Sequence, residues 1–244
     1  MTTPDPRAPR DQESWARPVD RLTTTARTNG QDTVTGRRVS GPVQGFGQMW
    51  QKTFAIRVPA DDHSPEDVIA HWKDKFPTFW PKGSTFYAPL AGISPGEVAL
   101  LEVPPLPGSP VKMSTGVMVI YADRESFTFM TPEGHMFAGL ITFSADEVEA
   151  GTQARVSIML RTNDPLYEMG WVALKIGEDK FWPGTLSNLA AAHGVREADV
   201  QTSTECLDRK RLWKHWRNIK HNAAIRSMGH SMAAPFRPQS SPTA

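Results

Sequence analysis

The stretch TFMTPEGHMFAGLITF, residues 128–143, sets an acid and a histidine, Glu133 and His135, between two apolar runs. A carboxylate and an imidazole that converge can shuttle a proton or activate water. The competing reading is an exposed turn acid and a histidine at the start of a strand. Pro132 and Glu133 suit the centre of a type I turn and Gly134 the left-handed position after it, so turn chemistry alone accounts for Pro132 and Gly134. The sequence leaves open whether Glu133 and His135 face the same way, or sit at a cavity mouth against the polar group of a ligand.

A second constellation is aromatic. Trp72, Phe76, Phe79, Trp80, Phe86 and Tyr87 crowd residues 72–87. Trp72 and Phe76 fall on a helical stripe and are expected mainly in the core. Phe79, Trp80 and Tyr87 lie among Pro and Gly, where loop aromatics form the rim of a cleft. Phe127, Phe129, Phe137 and Phe143 on adjacent strands add apolar wall. Metal chemistry has no support: His63 and His71, and likewise His215 and His221, are badly spaced for one-turn ligation, and H-E-x-x-H is absent. GPVQGFG precedes a strand rather than a helix, the wrong context for a phosphate loop. No G-x-S-x-G elbow is present. The single cysteine, Cys206, excludes an internal disulfide framework. Catalytic residues therefore remain unassigned beyond His135 and Glu133, with no metal and no cofactor expected.

The elements that must position these groups are legible from periodicity. WQKTFAIRVP alternates, with Phe54, Ile56 and Val58 on one face and Thr53, Ala55 and Arg57 on the other, which predicts a half-buried strand. In HSPEDVIAHWKDKFP, Ser64 is an N-cap, Pro65 the first helical residue, and Val68, Ile69, Trp72 and Phe76 the apolar face. GEVALLEVP and STGVMVIYAD are apolar throughout, as strands covered on both faces are. SFTFMT, MFAGLITFSAD and ARVSIMLRT alternate, and turn residues join them, which predicts an antiparallel meander. Asp164 and Pro165 open a helix reaching His193 and Gly194, with a break or kink at Pro183.

Residues 1–44 lack apolar periodicity and read as a disordered tail, with a second such tail at 231–244. No apolar run reaches the roughly 18 residues of a membrane span, and no secretory h-region opens the chain. This predicts a cytoplasmic protein. The net charge of +1 conceals an asymmetry: residues 46–207 hold 12 Lys/Arg and 20 Asp/Glu, whereas 208–230 hold 7 Lys/Arg and one Asp. Within residues 205–230, Leu212, Trp216, Ile219 and Ala223 make one apolar stripe on a basic helix. Arg209, Lys210, Arg211, Trp213, Lys214, Arg217 and Lys220 then form a surface for one of three partners: the chain's own acidic domain, an anionic membrane, or nucleic acid. Nucleic acid ranks last, because the rest of the domain would repel phosphate.

The order strand, helix, meander, long helix resembles the START-like (SRPBCC, Bet v 1-like) superfamily. GPVQGFGQMWQKTF, FPTFWPKGSTFYAPLAGISPGEVALL, STGVMVIYADRESFTFMTPEGHMFAGLITFSA and NDPLYEMG are similar to a bacterial, uncharacterised branch of it, over roughly residues 41–228. The resemblance implies an α+β helix-grip fold, a curved antiparallel sheet around a long C-terminal helix, here spanning 45–204. It implies binding or transport of an apolar small molecule such as a lipid, isoprenoid or polyketide-like compound between sheet and helix. Trp72, Phe76, Phe79, Trp80, Tyr87, Phe127, Phe129, His135 and Phe137 are the lining candidates. The alternatives are a cyclase- or hydrolase-like enzyme using His135 and Glu133, and a membrane-surface or partner-docking module using the basic helix.

Overall fold

The computed structural model describes residues 12–26, 32–59, 64–104, 112–149 and 151–233. Alternation sets the first strand: β1 (Met49–Val58) sends Phe54, Ile56 and Val58 into the core. Helix α1 (Pro65–Asp74) is capped as its sequence predicts. Ser64 Oγ accepts the Asp67 N–H at 3.1 Å, and Asp67 accepts the Ser64 N–H at 3.3 Å. Its apolar stripe buries Val68, Ile69 and Trp72, and a 3-10 turn over Phe76–Phe79 leads away from it. The meander follows as β2 (Thr85–Tyr87), β3 (Val98–Val103), β4 (Met113–Ala122), β5 (Ser126–Met130), β6 (Phe137–Val148) and β7 (Gly151–Thr162).

Asp164 then caps α2 (Pro165–Met169), accepting the N–H groups of Leu166 and Tyr167 at 2.9 and 3.1 Å. Helix α3 (Trp171–Ala192) crosses the inner face, packing on β1 and β7. Of the break or kink expected at Pro183, the break does not occur, because the helix runs through it; Gly194, at φ 82°, follows its C-terminus. The chain closes with β8 (Gln201–Asp208), a 3-10 helix over Trp213–His221, and α4 (Ala223–Ala233). All pairings are antiparallel, in the order β2-β3-β4-β5-β6-β7-β1-β8. This is the expected α+β helix grip, with one strand added beyond β1.

Two boundaries need correction. The region read as a disordered tail to residue 44 is ordered over its described residues, 12–26 and 32–44. Leu22 and Val34, each 1% exposed, pack with Val98, Leu100 and Met118 on the outer face of β3 and β4. The Ala16 N–H also bonds to Ile120 O at 2.9 Å. Two strands apolar on both faces need a cover on each, and a few apolar side chains in a polar segment supply it. Residues 1–11, 27–31 and 234–244 of the predicted tails lie outside the described residues.

The basic segment 205–230 is not one helix. Its start belongs to β8, where Cys206 pairs with Trp50, Thr204 with Lys52 and Thr202 with Phe54, covering an otherwise open sheet edge. The C-terminal helix begins only at Ala223.

Candidate functional site

The hairpin tip is held by a segment before β1 and by one after β8. Arg38 N–H donates to Glu133 Oε2 at 3.2 Å, and Glu133 N–H to Arg38 O at 2.8 Å. On the other side, the Ala223 N–H donates to Gly134 O at 2.8 Å. Gly134 has φ 89°, and a Cβ there would stand 1.9 Å from His221 O, so glycine is required both by conformation and by the close approach. His135 is buried, its Nδ1 3.0 Å from the Phe137 N–H, and burial pushes its pKa down to about 4. Glu133 and His135 each serve a different backbone neighbour, so the tip is a clamp for chain segments rather than an acid–base pair.

The aromatic set is packed on itself. Phe127 and Phe143 stack at 4.6 Å, Phe76 stands edge-on to Phe143 at 5.2 Å, to Phe129 at 5.3 Å and to Phe127 at 5.6 Å, and Trp72 to Phe143 at 5.2 Å. Phe79 is buried beside His71, and half-buried Trp80 meets Phe181 of α3 at 4.9 Å. Tyr87 departs from its predicted rim position. Alternation along β2 turns Phe86 inward and Tyr87 to the outer-face cluster. In this half of the grip the rings fill the space between α1, α3 and the sheet.

The other half differs. Lys52 on β1 has no exposed side-chain surface, and its Nζ lies 2.7 Å from Glu178 Oε2 and 2.8 Å from Asp179 Oδ1 of α3. Lys175 reaches Asp179 Oδ2 at 2.6 Å. The Lys52 ammonium also sits 5.6 Å from the Trp171 ring, which stacks on Trp50 at 5.3 Å and meets Phe137 edge-on at 6.3 Å. Burial raises the Glu178 pKa, against the opposing pull of Lys52. Burial works the same way on Asp179, but hydrogen bonds from Lys175 and Lys52 outweigh it and hold that carboxyl low.

The Lys52 ammonium thus stands between two carboxylates with the Trp171 ring beside it. Within this buried cluster, burial favours the neutral form of Glu178. Of the lining candidates, Phe137 reaches it through the Trp171 ring. The cluster left a trace in the sequence: continuing the alternation back from Phe54 places Lys52 inward, and Glu178 sits four residues from both Leu174 and Trp182, all buried.

The basic segment docks on its own domain through Arg211 Nε to Glu168 Oε1 at 2.6 Å, Leu212 N–H to Phe46 O at 2.7 Å, and Asn218 Nδ2 to Gln44 O and Asn163 O at 2.8 and 2.9 Å. Arg161 accounts for the turn before it, bonding Gly47 O, Lys210 O and Asp208. Arg209, Lys214, Arg217 and Lys220 remain exposed. His71 and His193, unrelated in sequence, meet at 3.1 Å, but no group of three or more metal-ligating side chains forms among the described residues. On the outer face, a hollow of about 420 Å³ is lined by Trp15, Tyr121, Thr128, Thr142 and Arg155 among others. No described helix is long and apolar enough to cross a membrane.

Strand order and the long helix define the class: a helix-grip protein, here with a charged cluster inside it. No protein-family model matches the chain. No curated protein matches it either. Among solved structures, a START superfamily protein from Mycobacterium smegmatis is similar at 19% identity and TM-score 0.42, over 61% of this chain and 98% of that one. The di-domain aromatase/cyclase StfQ of the steffimycin biosynthetic pathway is similar at 11% and 0.43, over 61% and 52%. A ginseng (Panax ginseng) major latex-like protein is similar at 14% and 0.38, over 60% and 99%. These likenesses are partial, and the fold assignment rests on the strand order and the position of α3.

Proposed function

We propose that this protein binds an apolar small molecule carrying one hydrogen-bond-accepting end, between the first half of α3 and the sheet. The supporting observation is the Lys52 cluster: a fully buried ammonium between two carboxylates, inside an otherwise apolar grip. Taking such charges out of water is costly and is offset only where their bonding is complete, so an accepting group on a ligand would add to the bonding of this cluster. Trp50 and Trp171, both only half-buried, form the partly exposed side of the site, and Phe137 its wall. The body of the ligand gains about 25 cal/mol per Å² of apolar surface it buries.

The test is native mass spectrometry of the purified protein and titration with an anionic apolar dye, anilinonaphthalene sulfonate, on the wild type and Lys52→Met. Retained ligand or dye binding by the wild type, weakened by the substitution at unchanged secondary structure, supports the reading. A protein that carries nothing and binds no dye, or binds it equally well without Lys52, removes it. The acid–base enzyme reading loses its support, because Glu133 and His135 are engaged separately.

A further inference from the structure

The 3-10 helix over Trp213–His221 repeats every three residues, so side chains at i and i+3 eclipse and the segment has three distinct edges. His215, Asn218 and His221 form the first edge, which faces the protein. Asn218 bonds Gln44 O and Asn163 O, and His221 Nδ1 lies 2.9 Å from Arg37 Nη1. Trp213, Trp216 and Ile219 form the second. Trp213 is 68% and Trp216 49% exposed, although the first leans its ring on Phe46 at 5.1 Å. Lys214, Arg217 and Lys220 form the third, all exposed and, among the described residues, without an ion pair. An α-helix, at 3.6 residues per turn, would scatter these nine residues over its circumference. The observed geometry sorts them into an anchored edge, an aromatic edge and a cationic edge.

Apolar exposure continues beside it. The Arg211–Glu168 ion pair ties the start of the segment to α2, and next to Glu168 in the chain stands Met169, 85% exposed, followed by Val172 at 71%. From these observations we infer that this surface docks on an anionic lipid bilayer. Trp and Ile219 enter the headgroup region, and Lys214, Arg217 and Lys220 pair with lipid phosphates and carboxylates. The chemistry selects this occupant. Indole edges beside an ordered row of cations, with Met169 and Val172 exposed nearby, match a charged surface with an apolar interior, which a bilayer has and nucleic acid lacks. The inference stands on surface geometry alone and does not depend on the interior ligand.

The experiment is co-sedimentation of the full chain with vesicles of phosphatidylcholine alone and of phosphatidylcholine mixed equally with phosphatidylserine, at low and physiological salt, with a single-stranded RNA oligomer as a parallel arm. Binding to the anionic vesicles is expected. The triple substitution Lys214→Gln, Arg217→Gln, Lys220→Gln should weaken it about a hundredfold. Trp216→Ala should weaken it at both salt concentrations, which a purely ionic attraction would not predict. Both variants alter exposed side chains, and unchanged melting temperatures check that they fold. Failure to bind the mixed vesicles, equal binding by the triple variant, or binding to the RNA in place of the vesicles would each overturn the inference.

Discussion

The two halves of the grip share one sheet and one helix yet are built on different principles. Over the second half of α3, Trp72, Phe76, Phe127, Phe129 and Phe143 meet ring on ring, and among the described residues this half holds no buried ion pair like that of Lys52. Over its first half, half-buried Trp50 and Trp171 cover a buried ammonium and two carboxylates, and Met169 and Val172 point apolar side chains outward. A core that only had to be stable would repeat the first solution along the whole helix, since well-packed apolar groups are generally at least as stabilising as a buried ion pair. The contrast separates a region closed by ring packing from one that keeps charge and partly exposed rings together.

The largest break in that contrast should come from Phe76→Ala. It empties the centre of a fully buried cluster and should cost about 4 kcal/mol in urea unfolding while leaving dye binding at Lys52 intact. A loss of dye binding in the folded variant would show that the halves are not separate.

Lys52→Met should cost about 3 kcal/mol at neutral pH, because it leaves buried Glu178 unpaired. Its pH dependence sharpens the point. Without Lys52 the raised Glu178 pKa rises further, so the associated stability is present at low pH and lost as pH climbs through that value. The variant should therefore be closer to wild type at about pH 5 than at about pH 8. A constant deficit over that range would show that Glu178 is not the group left unpaired.

His135 tests the hairpin tip, which belongs to neither half. Its pKa falls from 6.5 to about 4 on folding, so the unfolded chain takes up the proton first as the solution is acidified. Stability should drop by about 3 kcal/mol between those values, and His135→Gln should flatten this acid limb in melts recorded across the range. The smallest effect is expected from Gly134→Ala, about 2 kcal/mol from the strained φ and the contact with His221 O. It should appear as faster amide exchange at Ala223 while β4 and β5 stay protected.

Local signals in the chain carried the framework. The Ser64–Asp67 cap, the Asp164–Pro165 helix start and the alternation of β1, β6 and β7 each depend on residues within a turn or a strand of one another. The full apolarity of β3 and β4 correctly announced a cover on both faces, but what supplied the outer one, Leu22 and Val34, was hidden in a segment without periodicity. Tyr87 went to the outer face by a one-residue alternation that so short a strand does not advertise. Glu133 and His135 drew attention by residue type and turned out to be fixed by Arg38 and Phe137.

What the sequence determined alone is the set of elements and their order, because capping, periodicity and turn chemistry act over a few residues. Only the tertiary structure decided that Lys52 would meet Glu178 and Asp179 across 126 and 127 positions. It also decided that the basic tail would wind as a 3-10 helix with its cations in a row. Both outcomes depend on contacts between segments far apart in the chain, and the geometry of such contacts is set by packing, which no local pattern records.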